Sequence, residues 1–301
     1  MHQAPRDLMK RRHFFQTLAA GSILAPSMPT WALESGANYQ KNIGLQLYTL
    51  RNQLKTDTVG TIKAIADAGY DQVEPYGFPG GASDMIQAAK DHGLAINSSH
   101  FDWESVTDPE KEGVAPFEDI LATAKDAGLS HLVIPYLHGH NRETLDDYKV
   151  IAERCNVAAE KAKAAGIQLS YHNHAFEFEP KGDDGMTGYD VFAAEFSDDM
   201  KFEVDVFWVK VGGVEIIPLL KKLDGRVAQL HLKDLKTEIE LPNFGSVPKD
   251  AFEEIGDGQI AMAPILAAAA EIGVAHCHVE QDQSPDPIAS VTQSLGFLES
   301  L

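Results

Sequence analysis

Two hydrophobic patterns alternate along most of this chain. Stretches with apolar residues three and four positions apart, such as Ile62, Ile65, Ala66 and Gly69, give way to short runs that are nearly all apolar. The first pattern predicts helices and the second buried strands. Helices are expected at Asp57–Ala68, Asp84–His92, Phe117–Ala127, Glu143–Ala165, Tyr189–Phe196, Val214–Leu223, Ala263–Ile272 and Pro287–Leu301. Six strands follow a helix through a glycine: Tyr70–Glu74, Leu94–Asn97, Leu129–Pro135, Ile167–His172, Arg226–Leu232 and Val274–Glu280. A glycine there supplies the left-handed C-cap that turns a helix into the next strand. Ile43–Tyr48 and Lys201–Phe207 complete eight strands without that signal.

Strict alternation of strand and helix requires parallel pairing with right-handed crossovers. Eight such units favour a closed (β/α)8 TIM barrel, in the α/β class, over an open doubly wound sheet. An open sheet would call for a glycine-rich phosphate loop after the first strand, where the chain instead reads Leu50-Arg51-Asn52-Gln53. No linker interrupts the series, so residues 33–301 are expected to form one domain. The first 32 residues differ in kind. Arg6, Lys10, Arg11 and Arg12 precede a mild apolar stretch and small residues ending near Ala32, the order of an export signal. Arg11-Arg12-His13-Phe14-Phe15 has the form of a twin-arginine signal, which places the mature chain in the periplasm. A basic amphipathic tail is the alternative.

The net charge changes what the chain can bind. It is −20 overall, and loss of residues 1–32 removes four basic groups and one acid, giving −23. A body so acidic repels nucleic acid and anionic lipid at long range. No apolar run reaches the ~20 residues of a membrane span. A small molecule is the expected partner; export and the scarcity of basic residues at strand ends argue against a phosphorylated one, and the oligomeric state is left open. Cys155 and Cys277 lie in a helical and a strand pattern, which favours buried free thiols.

In a barrel of this kind chemistry sits at the C-terminal ends of the strands. Of twelve histidines, seven fall there: His100, His138, His140, His172, His174, His231 and His278. His131 and His276 open strands instead, on the stability face. One histidine at a strand end is more often a hydrogen-bonded loop residue than a ligand; seven converging on one mouth beside carboxylates reverse that reading. Glu74, Asp205 and Glu280 also end strands, and a carboxylate inside an apolar strand must be paired or metal-bound. Imidazole with carboxylate suits one divalent ion such as Mn, Zn, Co or Fe(II), with Mg also open. Trp103, past strand three, and Trp208, past strand six, are placed to stack on a sugar ring or simply to pack. Lys233, two residues after His231, either stabilises an oxyanion or pairs with Asp234 or Glu238. The segment Thr237–Met262 is long for a barrel loop and reads as a substrate lid or a static surface loop.

Several strand ends carry a family resemblance. Ile43-Gly44-Leu45-Gln46-Leu47-Tyr48-Thr49-Leu50, Val73-Glu74, Ser98-Ser99-His100, Tyr171-His172-Asn173-His174, Val204-Asp205, Leu230-His231-Leu232-Lys233-Asp234 and Val279-Glu280 resemble the xylose-isomerase-like sugar isomerase/epimerase superfamily. That superfamily includes tagatose-type 3-epimerases, hydroxypyruvate isomerases and inosose dehydratases. The resemblance implies one divalent metal held from strands five to eight, by His172, Asp205, His231 and Glu280. His172 stands where many relatives carry a glutamate, which removes half of the acid/base pair of the 3-epimerases. The groups then available for proton transfer are Glu280, His174, Lys233 and His100, with Glu74, Trp103, Glu177 and Trp208 on the substrate side. The implied function is a metal-dependent isomerase, epimerase or lyase acting on a keto-sugar by proton abstraction beside a carbonyl. An exported sugar-binding barrel and an endonuclease-like hydrolase are the competing readings, the latter opposed by the charge.

Overall fold

The computed structural model describes residues 43–301 except 183 and 237, so the expected export signal lies outside the described residues. Eight strands form the barrel: β1 (Ile43–Gln46), β2 (Gln72–Glu74), β3 (Ser98–His100), β4 (His131–Ile134), β5 (Gln168–His172), β6 (Met200–Asp205), β7 (Val227–Leu232) and β8 (His276–Val279). They run parallel in the order β2-β1-β8-β7-β6-β5-β4-β3. Bridges Gln72–Ala95 and Phe78–Phe101, with His100 N–H donating to the Pro75 carbonyl at 2.9 Å, span β2 and β3 and close the ring. The helices form on the expected segments, for example Phe117–Ala127 and Leu145–Ala165. Gly128 and Gly166 end these two at φ +82°, the left-handed cap that the glycine pattern implied. Thr144 starts the longer helix with a capping box to Asp147, satisfying N–H groups that would otherwise lack partners.

The two faces of the strands have opposite character. Outward residues such as Val73, Leu169, Phe202, Val204, Leu230 and Val279 are buried and apolar, packed in the shell beneath the helices. The alternate residues turn to the barrel axis and are polar: Gln72 and Glu74, Ser98 and His100, Glu203 and Asp205, Gln229 and His231, His276 and His278. Contacts across the barrel establish this, since Gln229 of β7 donates to Ser98 of β3 at 3.0 Å. The pattern explains where strand boundaries depart from the expectation. The third strand is Ser98–His100 rather than Leu94–Asn97, because its inward side chains are polar and an apolar run cannot mark it. The sixth stops at Asp205, whose carboxylate caps the helix Val206–Val211 through Trp208 N–H at 2.9 Å, so Val206 and Phe207 are helical.

At the N-terminal end of the barrel the rings of His131 and His276 meet at 5.3 Å, away from the strand ends, as their positions implied. Burial pushes their pKa values down, to about 4 for His131 and about 3 for His276, so both fold in the neutral form. An unfolded histidine takes its proton near pH 6.5, so below that pH the unfolded chain binds protons that the folded chain refuses. Stability should therefore fall as pH drops from about 6.5 to about 4. In urea unfolding at pH 7 and pH 5, His131→Gln should lose about 1–2 kcal/mol less than the parent on acidification. Equal losses in the two proteins would show that this pair does not carry the effect.

Candidate metal centre and active site

Four of the expected residues come together at the C-terminal ends of β5 to β8. His172, Asp205, His231 and Glu280 are buried, and one ligand atom from each lies within 4.8 Å of the others. His231 Nδ1 is 2.9 Å from Glu280 Oε2, and His172 Nε2 is 4.0 Å from Asp205 Oδ2. Two ligands held about 2.1 Å from one ion stand about 3–4.2 Å apart, so this spacing suits a shared ion. Asp205 supports the fit in a second way. Its Oδ1 is used by the Trp208 N–H, while Oδ2 is buried with no hydrogen bond of suitable geometry and faces the Lys233 ammonium at 3.2 Å. A buried carboxylate oxygen without a hydrogen bond needs positive charge beside it, and a divalent ion between Asp205 and His172 would add to what Lys233 supplies. The donor set of two imidazoles and two carboxylates fits a divalent transition ion.

Lys233 enters the same site from β7. It is buried, and its ammonium lies 2.8 Å from Glu280, 3.0 Å from Asp282 and 3.2 Å from Asp205. Neither Asp234 nor Glu238 is its partner. Asp234 instead accepts the N–H groups of Leu235, Gly256, Gly258 and Ile260, which ties down the long segment after β7. Burial opposes the charge on Lys233, but Asp205, Asp282 and Glu280 outweigh it and hold its pKa well above the ordinary value. Burial likewise opposes ionisation of Glu280, and Lys233 and His231 outweigh it, so that carboxyl stays ionised far below its ordinary range. Asp282, two residues past Glu280, was not anticipated; burial raises it to about 6 against the pull of Lys233.

A second unanticipated carboxylate lies beneath the four. Glu203 is fully buried on the barrel axis and touches His100, His172 and His231. Its position was readable, because Glu203 is two residues before Asp205 in a strand and must share its face. Glu74 is in the same lower layer, paired with His100 at 3.1 Å and His278 at 3.1 Å. Burial and Glu203 push the Glu74 carboxyl up, but His278 and His100 bring it to about 2. The same two carboxylates overcome the burial of His100 and lift it to about 9. Two deeper groups, His100/His172/Glu203/His231 and Glu74/Glu203/His231/His278, also have ligand-like spacing. Neither Glu203 nor Glu74 borders the open cavity, whereas His172 and Glu280 do.

That cavity is about 420 Å³ and opens at the barrel mouth. Trp103, Trp208, Tyr48, Tyr76 and Tyr136 wall it, and His100, His174, Lys233 and Asp282 reach it. His174 stacks on Phe176 at 5.4 Å, and burial together with His172 and Lys233 keeps it neutral, well below its ordinary pKa. Two residues expected on the substrate side are elsewhere. Glu74 lies in the layer below, held by its imidazoles. Glu177 is buried behind the wall, taking the Tyr171 hydroxyl at 2.6 Å and the His174 N–H at 2.8 Å, which fixes the His172–His174 turn. His138 and His140 pair with Glu104 and Asp108 at the rim and stay out of the cluster. No described residue between Lys233 and Glu280 lines the cavity; within that segment Phe252 packs on Phe207 at 4.5 Å, so it buttresses the wall.

With this geometry the similarities to known proteins are consistent. Residues 62–301 match the family described as xylose isomerase-like TIM barrel. The inosose dehydratase of Mesomycoplasma hyopneumoniae is 24% identical over 265 residues, spanning 80% of this chain and 87% of that protein. The crystal structure of a sugar phosphate isomerase/epimerase from Parabacteroides distasonis superposes with a TM-score of 0.69 at 26% identity, covering 87% of this chain and 94% of that one. The 3-keto-D-glucoside 4-epimerase of E. coli shares the fold, with a TM-score of 0.64 at 16% identity over 86% of this chain and 99% of that one. The chain belongs to the xylose-isomerase-like TIM-barrel family.

Proposed function

We propose that this protein is a metal-dependent isomerase, epimerase or lyase that acts on an uncharged keto-sugar or its glycoside. The observation that carries this reading is the convergence of His172, Asp205, His231 and Glu280 at the floor of an aromatic-walled cavity. The names of the relatives point the same way, since they describe sugar epimerases and a dehydratase. The stacking surfaces of Trp103 and Trp208 suit the apolar faces of a sugar ring. Among the described residues Lys233 is the one lysine or arginine lining the cavity, and three carboxylates already hold it. A phosphate would find no free cation there, which favours a neutral substrate.

A divalent ion on the four residues would polarise a carbonyl and make the neighbouring C–H acidic. The chain supplies the proton chemistry. His174 is neutral and open to the cavity, so its imidazole is fit to accept the proton. Glu280, on the other side of the floor, is ionised and its basicity is reduced by Lys233. His100 reaches the cavity as an imidazolium held by Glu74 and Glu203, fit to donate a proton to an oxygen. One acceptor and one donor of different residue type replace the paired glutamates of the 3-epimerases. Return of the proton to carbon gives isomerisation or epimerisation, and protonation of a departing β-hydroxyl gives elimination. We also propose export through the twin-arginine signal, on the residues Arg11 to Phe15.

Turnover of a keto-sugar panel in deuterium oxide should place deuterium on a substrate or product carbon; a panel turned over with no exchange at any carbon would count against proton abstraction. His174→Asn should keep the metal and lose rate on the order of 10²-fold, whereas Glu280→Gln should lose metal and turnover together. Full activity in His174→Asn would remove that residue from the mechanism. Replacing Arg11 and Arg12 by lysine should leave the protein folded in the cytoplasm, and normal export of that double variant would point to a different route.

A further inference from the structure

Glu203 is fully buried on the barrel axis and meets three histidines and Gln229, and the chemistry above gives it no direct part. One oxygen, Oε1, lies 2.9 Å from His100 Nε2, 3.1 Å from His172 Nδ1 and 3.1 Å from His231 Nε2. The other, Oε2, accepts from Gln229 Nε2 at 2.6 Å, and Gln229 is itself held by Ser98 at 3.0 Å. An ionised carboxylate only accepts, so the His172 Nδ1 hydrogen-bonded to it carries a proton. That fixes the ring tautomer of His172. With Nδ1 of His172 protonated, its lone pair is on Nε2, the atom 4.0 Å from Asp205 Oδ2. His231 is not placed in this way: its Nε2 is 3.1 Å from Glu203 without hydrogen-bond geometry, and its Nδ1 is hydrogen-bonded to Glu280 at 2.9 Å. Glu203 thus aims one lone pair, that of His172, toward Asp205.

The position of Glu203 in the sheet adds an independent observation. In the β5–β6 register the residue directly opposite His172 is Glu203, so the carboxylate is held beside the imidazole by the sheet itself. We propose that Glu203 is the positioning residue that makes His172 a usable metal ligand, by holding its Nδ1–H and leaving the Nε2 lone pair free. This rests on the reading of His172, Asp205, His231 and Glu280 as the metal set. Carboxylates that hold ligating imidazoles in this way commonly contribute 10- to 100-fold in metal affinity.

The test is a cycle of variants titrated with Mn²⁺ by calorimetry, using the whole chain. Glu203→Gln should weaken binding by about 10- to 100-fold. In a His172→Glu background the same substitution should cost at least about fivefold less, well beyond the roughly twofold scatter of independent sites, because the imidazole that Glu203 orients is then absent. An equal penalty in both backgrounds would overturn the proposal, since it would make Glu203 a ligand or a general structural support. No penalty in either background would overturn it too. Uptake of Mn²⁺ by neither the parent nor any variant would instead sink the metal reading on which the proposal stands. If Glu203→Gln does not fold, Glu203→Asp gives the same comparison, with a smaller but still background-dependent loss expected.

Discussion

A charge on the axis of a closed barrel has no water to turn to, and that constraint organises this molecule. Glu203 and Glu74 are fully buried there, and each is tolerable only because imidazoles surround it. The histidines are consequently not scattered ligands but two storeys of one network. The lower storey, with Glu74, Glu203 and His278, does not border the cavity, and its Glu203 holds the Nδ1–H of His172. The upper storey, with His172, Asp205, His231 and Glu280, meets the cavity through His172 and Glu280. Lys233 supplies a fixed positive charge to three carboxylates at its edge.

This arrangement separates binding from chemistry. Aromatic side chains line the mouth, surfaces suited to a ring with apolar faces, while charged groups lie among the deeper lining residues. Differences between His174 and His100 follow from their neighbours. Two carboxylates keep His100 protonated; His174 has cationic neighbours and an aromatic stack, and stays neutral.

Most of the fold was legible in the sequence, because glycine caps and helical periodicity mark each unit. The third strand was misplaced for a physical reason: its inward side chains, Ser98 and His100, are polar in a barrel whose axis is polar. That His172, Asp205, His231 and Glu280 meet as one candidate metal set was legible from their strand ends. Glu203 was overlooked although the period of two places it beside Asp205, and Asp282 was overlooked because only folding brings it to Lys233. Glu74 and Glu177 were recognised as important but given the wrong neighbours. Their carboxylates serve imidazoles and a backbone turn, which no spacing in the chain reveals.

The central claim is that one ion binds in the upper storey, on His172, Asp205, His231 and Glu280, and that the lower storey only supports it. Anomalous diffraction from crystals of the cobalt-loaded protein tests this most directly. The account requires a single strong peak within bonding distance of His172 Nε2, Asp205 Oδ2, His231 Nδ1 and Glu280. A peak coordinated by Glu203 or Glu74 in the layer below, or no peak at full cobalt loading, would contradict it.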